Sequence, residues 1–238
     1  MGKEKTNIII TGANKGIGFE LVKYFTGIEN NNIIAISRNI DKLNVFSLEK
    51  NLKHSSKVFP IQFDLSSDNY EKKLLSLILK ISDRIDILIN NAGILINKPF
   101  IQQTDRDFDE QFNTNVKAVF KLTRLMCPYL SKNAHIVNIS SMGGFQGSAK
   151  FNGLSLYSAS KGALAIFTEC IAEEMKNKDI KANCLALGAA QTEMLESAFP
   201  GFNTTVSAEK IATFIADFAL NAHHFINGKI IPVSLSIP

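Results

Sequence analysis

Tyr157 and Lys161 stand four positions apart in a segment of helical period, Ser155–Lys176, so the spacing predicts that their side chains share one helix face. A free tyrosine titrates near pH 10, which leaves about one phenol in a thousand ionised at neutral pH. A neighbouring ammonium favours the phenolate, and about 1.4 kcal/mol of that preference raises the ionised fraction tenfold. That is the help a tyrosine needs to exchange protons with an alcohol or a ketone. The same spacing also occurs on ordinary exposed amphipathic helices, so its meaning depends on the surroundings. Upstream, Ser140-Ser141 close a short apolar run, His135–Ile139, where a hydroxyl can donate to an oxygen that is gaining negative charge. Asn115 is polar among Phe112, Val116, Val119 and Phe120, and is either an ordinary helical Asn or an amide placed to hold a water for proton transfer.

Two glycine-bearing turns accompany these groups. Thr11-Gly12-Ala13-Asn14-Lys15-Gly16-Ile17-Gly18 lies between a β-branched run and a helical one, where backbone N–H groups can approach a pyrophosphate at a helix start. Its spacing is G-x-x-x-G-x-G and not G-x-G-x-x-G, so a purely structural turn is an equal reading of it alone. Asn90-Asn91-Ala92-Gly93 follows a later apolar run, and by itself reads as a simple turn.

Other chemistries find little support. His223 and His224 are adjacent while His54 and His135 are isolated, and no metal-ligand spacing connects them, so no metal is expected. Gly153-Leu154-Ser155-Leu156 is not a nucleophile elbow. Cys127, Cys170 and Cys184 are scattered and odd in number, which suits a reducing, cytoplasmic compartment. The net charge of +4 comes from 26 basic and 22 acidic residues spread along the chain, so nucleic acid is not expected as a partner. No apolar run approaches the ~20 residues of a membrane span, and no leader is visible, so no membrane association is expected.

The elements that must position these residues follow from periodicity. Strands are predicted at Asn7–Ile10, Ile33–Ser37, Val58–Phe63, Ile85–Ile89, His135–Ile139, Ile180–Leu185 and Ile230–Ser234. Helices are predicted from Gly16 to about Gly27, around Leu43, Phe46 and Leu48, after an N-cap at Ser67, from about Asp105 to Leu130, over Ser155–Lys176 and over Ser207–Ala219. Short apolar strands alternating with helices predict an α/β fold: a three-layer, doubly wound parallel sheet of about seven strands, in a single domain spanning residues 1–238.

In this order, T-G-x-x-x-G-I-G at Thr11–Gly18, N-N-A-G at Asn90–Gly93, an Asn in the next long helix, a Ser ending the fifth strand and Y-x-x-x-K at Tyr157–Lys161, the chain resembles the classical short-chain dehydrogenase/reductase family over nearly its whole length. The resemblance implies a Rossmann-type fold and a catalytic tetrad of Asn115, Ser141, Tyr157 and Lys161. In it Tyr is the acid or base, Lys lowers its pKa and binds the nicotinamide ribose, Ser orients the carbonyl, and Asn holds a relay water. It also implies a cofactor lying along Gly12, Asn14, Lys15, Gly16, Ile17, Gly18, Asp64, Leu65, Asn91, Ala92, Gly93, Tyr157, Lys161, Gly188 and Thr192, with Asp64 at the adenine and Thr192 on the nicotinamide side. Ser37-Arg38-Asn39 offers a cation where an acid would select a free ribose hydroxyl, and Lys15 adds a second, so NADP(H) is expected over NAD(H).

The implied function is NADP(H)-dependent hydride transfer between a small-molecule carbonyl and an alcohol. The alternative is a catalytically quiet NADP(H)-binding or regulatory protein on the same fold. Tyr157 follows Ser141 by sixteen positions, more than the family commonly has, so the Met142–Leu156 loop is expected to be enlarged and to line the substrate site. Leu187-Gly188 replaces the usual Pro-Gly, and Pro232–Pro238 lacks the Gly-Gly often found there. Met194, Leu195, Phe199 and Phe202 suggest an apolar lid in Ala189–Val206. The family implies homodimers or homotetramers through the two long helices, where Phe112, Val119, Phe120, Leu164, Ala165 and Phe167 either face a second copy or face the sheet.

Overall fold

The computed structural model describes residues 5–53 and 55–235. His54, the first residues of the N-terminus and the end of the Pro232–Pro238 tail lie outside the described residues. Seven strands, β1 (Thr6–Thr11), β2 (Asn31–Ser37), β3 (Lys57–Gln62), β4 (Ile85–Asn90), β5 (Leu130–Ser141), β6 (Lys181–Leu187) and β7 (Ile230–Val233), form one parallel sheet in the order β3-β2-β1-β4-β5-β6-β7. The inner strands β1, β2 and β4 are buried nearly throughout and carry β-branched and apolar residues on both faces because helices cover both. Along β1 the alternation is visible in single residues. Ile8 and Ile10 pack with α1 (Gly16–Thr26), α2 (Asp41–Lys53) and α8 (Ala208–Asn221), whereas Ile9 packs on the other side. That other layer holds α3 (Ser76–Leu79), α5 (Ala118–Met126) and α6 (Ser155–Glu174).

Strand order reverses between β1 and β4, because β2 lies on one side of β1 and β4 on the other. Connections leaving the carboxyl ends of these two strands diverge and open a crevice. The Gly12–Gly18 turn leaves β1 there, and Asn90–Gly93 leaves β4 there.

Several boundaries differ from the sequence expectation. The helix expected from about Asp105 to Leu130 is α4 (Asp105–Phe112), a π-type turn at Asn113–Lys117, and α5, which stops at Met126 so that Leu130 already pairs with Ile85. Thr104 starts α4 with a reciprocal capping box to Asp107. Ser67 is not a cap: its backbone N–H donates to Asp64 O, and a π-type turn begins at Tyr70 after Asn69 without a side-chain cap. Of the three residues that marked α2 in the sequence, Leu43 is buried and Phe46 packs against the core, while Leu48 is 72% exposed. Ser207 does cap α8, accepting from Lys210 N at 3.2 Å.

Candidate functional site

Side chains of the chain itself stitch the crevice together. Thr11 Oγ1 accepts from both Asn91 N and Ala92 N at 3.0 Å, and Asn91 Nδ2 donates to Thr11 O at 3.0 Å and Gly12 O at 3.4 Å. Gly12 sits at φ +66, where a Cβ would stand 2.9 Å from Ala92 Cα, so only glycine lets the β1 and β4 turns meet. A Cβ at Gly18 would be 2.2 Å from Gly12 O, so the first turn of α1 folds directly onto the loop before it. Asn14 accepts from Leu43 N at 3.4 Å and donates to Asn39 Oδ1 at 3.2 Å, tying the turn to α2. Lys15, the N-cap of α1, makes no side-chain cap, so the first amides of an eleven-residue helix remain free to bind an anion.

At the other end, α6 carries Tyr157 and Lys161 on one face, as the four-residue spacing predicts, with Lys161 Nζ 5.9 Å from the Tyr157 ring centroid. Both are buried. Lys161 Nζ donates to Ile139 O at 2.8 Å, and Ser140 Oγ donates to Lys161 O at 2.8 Å. Both serines line the cavity, but Ser140 Oγ is committed to the helix backbone, while Ser141 Oγ accepts from Gly143 N at 3.2 Å. Gly144 lets this loop meet α6, since a Cβ there would lie 2.5 Å from Gly162 N.

Asn115 lies in the π-type turn, fully buried. Its Oδ1 accepts from Ile94 N at 2.9 Å, and its Nδ2 donates to Ile94 O at 3.0 Å and Ser160 Oγ at 2.9 Å. Ser160 Oγ in turn donates to Tyr157 O at 2.7 Å. The amide thus joins the loop after β4 to the helix bearing Tyr157, with both of its ends already engaged by protein groups. Ser160 is a site residue the sequence reading missed, although its place three residues after Tyr157 on a predicted helix put it on the same side.

Burial governs the electrostatics. It pushes the Tyr157 phenol up to about 12, with the Ser141 side chain pulling in the opposite direction, and it pushes the Lys161 ammonium down to about 8. Lys161 Nζ itself is directed at the Ile139 carbonyl and stands 5.9 Å from the Tyr157 ring centroid.

These groups share a cavity of about 970 Å³. All the expected site residues line it except Asn14, Gly18 and Asn115, which shape it from behind. At its far end Arg38 is exposed, and Asp64 accepts from Ser66 N at 2.9 Å and Ser66 Oγ at 2.8 Å. Those bonds, and to a smaller extent the charge of Arg38, hold its carboxyl below the usual range. Thr192 Oγ1 accepts from Leu195 N at 3.3 Å, capping α7 (Glu193–Ala198), and Gly188 leaves room for Ser234 Oγ, 2.6 Å from where a Cβ would be. Met142, Phe151 and Leu154 of the Met142–Leu156 segment and Met194, Leu195, Phe199 and Phe202 of the Ala189–Val206 segment also line the cavity.

Of the helix residues left open between a second copy and the sheet, Val119, Leu164 and Ala165 are buried within the chain, while Phe120 is 41% exposed. Among the described residues no group of three or more His, Cys, Asp or Glu side chains is placed to hold a metal ion, and no helix is long and apolar enough to cross a membrane.

Comparison with known proteins agrees with this geometry. The chain is 29% identical over 238 residues to the 3-oxoacyl-[acyl-carrier-protein] reductase FabG of Thermotoga maritima, covering 94% of each chain. Its fold superposes on a short-chain dehydrogenase from Burkholderia cenocepacia in complex with NADP, with TM-score 0.86, 22% identity and 97% of each chain covered. A 4-hydroxyisoleucine dehydrogenase mutant complexed with NADH and succinate aligns with TM-score 0.81 and 27% identity over 96% of each chain. Residues 6–201 match the short chain dehydrogenase family, and with most of its length so matched the protein belongs to that family of oxidoreductases.

Proposed function

We propose that the protein is an NADP(H)-dependent carbonyl reductase working through a tyrosine acid. The observation that carries this reading is the convergence of Ser141, Tyr157 and Lys161 on one wall of a cavity whose other end is the open start of α1. The cavity volume is at the upper end of ordinary ligand sites, which suits a dinucleotide together with a small substrate. Gly93 keeps the space before Lys161 clear, since a Cβ there would sit 3.2 Å from both Lys161 Nζ and Asn115 Oδ1. The FabG relative and the NADP- and NADH-bound neighbours support a nicotinamide cofactor and a carbonyl or alcohol substrate for this chain too.

A nicotinamide cofactor, when bound, supplies or accepts the hydride. The chain does the rest. Ser141 donates a hydrogen bond to the carbonyl oxygen, and Tyr157 gives its proton to that oxygen as negative charge develops there. The Lys161 ammonium stabilises the phenolate left behind and would hold the ribose of a bound cofactor. Asn115 holds the β4 loop and, through Ser160, the Tyr157 turn of α6; a relay water has only the second lone pair of its Oδ1 to bind. Lys15 and Arg38 are exposed on the cavity wall and neither makes an ion pair among the described residues, which favours the phosphate-bearing NADP(H).

Tyr157→Phe tests the mechanism. With a panel of carbonyl compounds followed by NADPH absorbance, turnover should fall by about 10²–10⁴, the usual worth of a general acid, while NADPH still binds. Undiminished turnover would refute the mechanism.

A further inference from the structure

The segment between β6 and α8 is closed at its base. Gln191 N donates to Val206 O at 2.8 Å, Thr204 N donates to Gln191 Oε1 at 3.1 Å, and Gln191 pairs with Ser207. The excursion from Thr192 to Asn203 carries α7 and four apolar residues of the cavity wall. Its hydrogen bonds are internal, such as Phe199 N to Leu195 O at 2.8 Å and Phe202 N to Phe199 O at 3.0 Å. Among the described residues one hydrogen bond leaves the excursion for the opposite wall: Asn97 Nδ2 donates to Ala198 O, at the end of α7, at 2.8 Å.

Asn97 is seated on the part of the molecule that holds Tyr157. A Cβ on Gly153 would stand only 2.1 Å from Asn97 Oδ1, and Gly153 has φ +81, so glycine is required there on both counts. Lys98 N donates to Gly153 O at 3.0 Å, Gln103 Nε2 donates to Lys98 O at 2.8 Å, and Ser155 Oγ, in the first turn of α6, donates to Gln103 Oε1 at 3.0 Å. The amide therefore stands on a braced platform and reaches across to a segment that, among the described residues, has no other hydrogen bond to that wall.

We propose that Asn97 is a positioning residue that latches α7 over the catalytic end of the cavity, and so sets how often the apolar lid opens to admit or release ligand. The proposal rests on the reductase reading for what passes beneath the lid, but not for the latch itself. One exposed neutral hydrogen bond biases an opening equilibrium by about two- to tenfold, strong enough to keep the lid down and weak enough to break in each cycle.

The test compares amide hydrogen exchange over residues 193–206 in the full chain and in Asn97→Asp and Gly153→Ala, without added cofactor. Asn97→Asp removes the donor and sets a carboxylate against the Ala198 carbonyl. Gly153→Ala displaces Asn97 while leaving it intact. Both should speed lid exchange by at least about twofold while β1 and β4 keep their protection, and both should speed NADPH release. With an active carbonyl, KM should rise by a larger factor than kcat falls.

Lid exchange unchanged in both variants overturns the latch, and so does a KM that does not move. If β1 and β4 lose protection in one variant, the other decides. Lid exchange needs no turnover, so a fully active Tyr157→Phe enzyme, fatal to the reductase mechanism, would leave this result standing.

Discussion

Lys161 should impose an alkaline limit on the enzyme far below the titration of an ordinary lysine. Burial brings its ammonium to about 8, while Tyr157 stays protonated to about 12, so between these values the site holds a neutral phenol beside a neutral amine. With a pKa near 8, about nine-tenths of the protein carries the charge at pH 7 and about one-tenth at pH 9. The ratio kcat/KM for NADPH reports ionisations of the protein before it binds. It should therefore fall about tenfold from pH 7 to pH 9, approaching a slope of −1 on a logarithmic plot. Initial rates of carbonyl reduction at limiting NADPH, in buffers of matched ionic strength, measure it. Lys161→Arg keeps its charge throughout this range and should lose the limb while lowering the plateau, because the longer planar group does not fit the lysine's seat. A profile level to pH 10 in the parent protein, or one breaking at the same pH in Lys161→Arg, would show that this ammonium is not the group required.

Two further outcomes are expected. Arg38→Ala should weaken NADPH binding by about tenfold, the worth of a charge-assisted hydrogen bond at an exposed site, and leave NADH binding nearly as it was; fluorescence titration of both cofactors measures this, and an equal loss for the two would mean that Arg38 does not read the extra phosphate. His135, fully buried on β5, donates from Nδ1 to Ala219 O at 2.9 Å and accepts at Nε2 from Asn183 Nδ2 at 3.0 Å, so its partners require a neutral ring, and burial pushes it down from 6.5 to about 4. The unfolded chain takes up that proton first, so the stabilisation is complete above about pH 6.5 and is lost as pH falls toward 4, by up to about 3 kcal/mol. Urea unfolding at pH 7 and pH 4.5 should show this loss in the parent and a smaller one in His135→Asn, and equal losses would contradict the assignment.

How much of this was legible in the sequence depends on whether a property is local or collective. The strands were legible because β-branched runs buried on both faces need no partner to declare themselves; Ile8, Ile9 and Ile10 read as a strand whichever layer each meets. Tyr157 and Lys161 share a face as their spacing requires, since i and i+4 are neighbours on any helix. The tyrosine's environment was not legible. Attraction to an ammonium can be argued from two residues, but the loss of hydration that pushes the phenol up depends on everything the folded chain packs around it. The same distinction separates the glycine turn into wall and scaffold. Gly12, Gly16 and Gly18 are one motif in the chain, yet Gly18 is excluded from the cavity because it lies against Gly12 O, a contact that exists only once α1 has turned back on β1. Asn115 departs further from its sequence reading. Periodicity predicts a regular helix around it, and no residue type announces a π-type turn; with its amide bound to Ile94 and Ser160, Asn115 becomes part of the frame that fixes Tyr157. A residue of catalytic type can thus be found from sequence, but whether it touches the substrate or holds the residue that does is decided by the hydrogen bonds its neighbours have already taken.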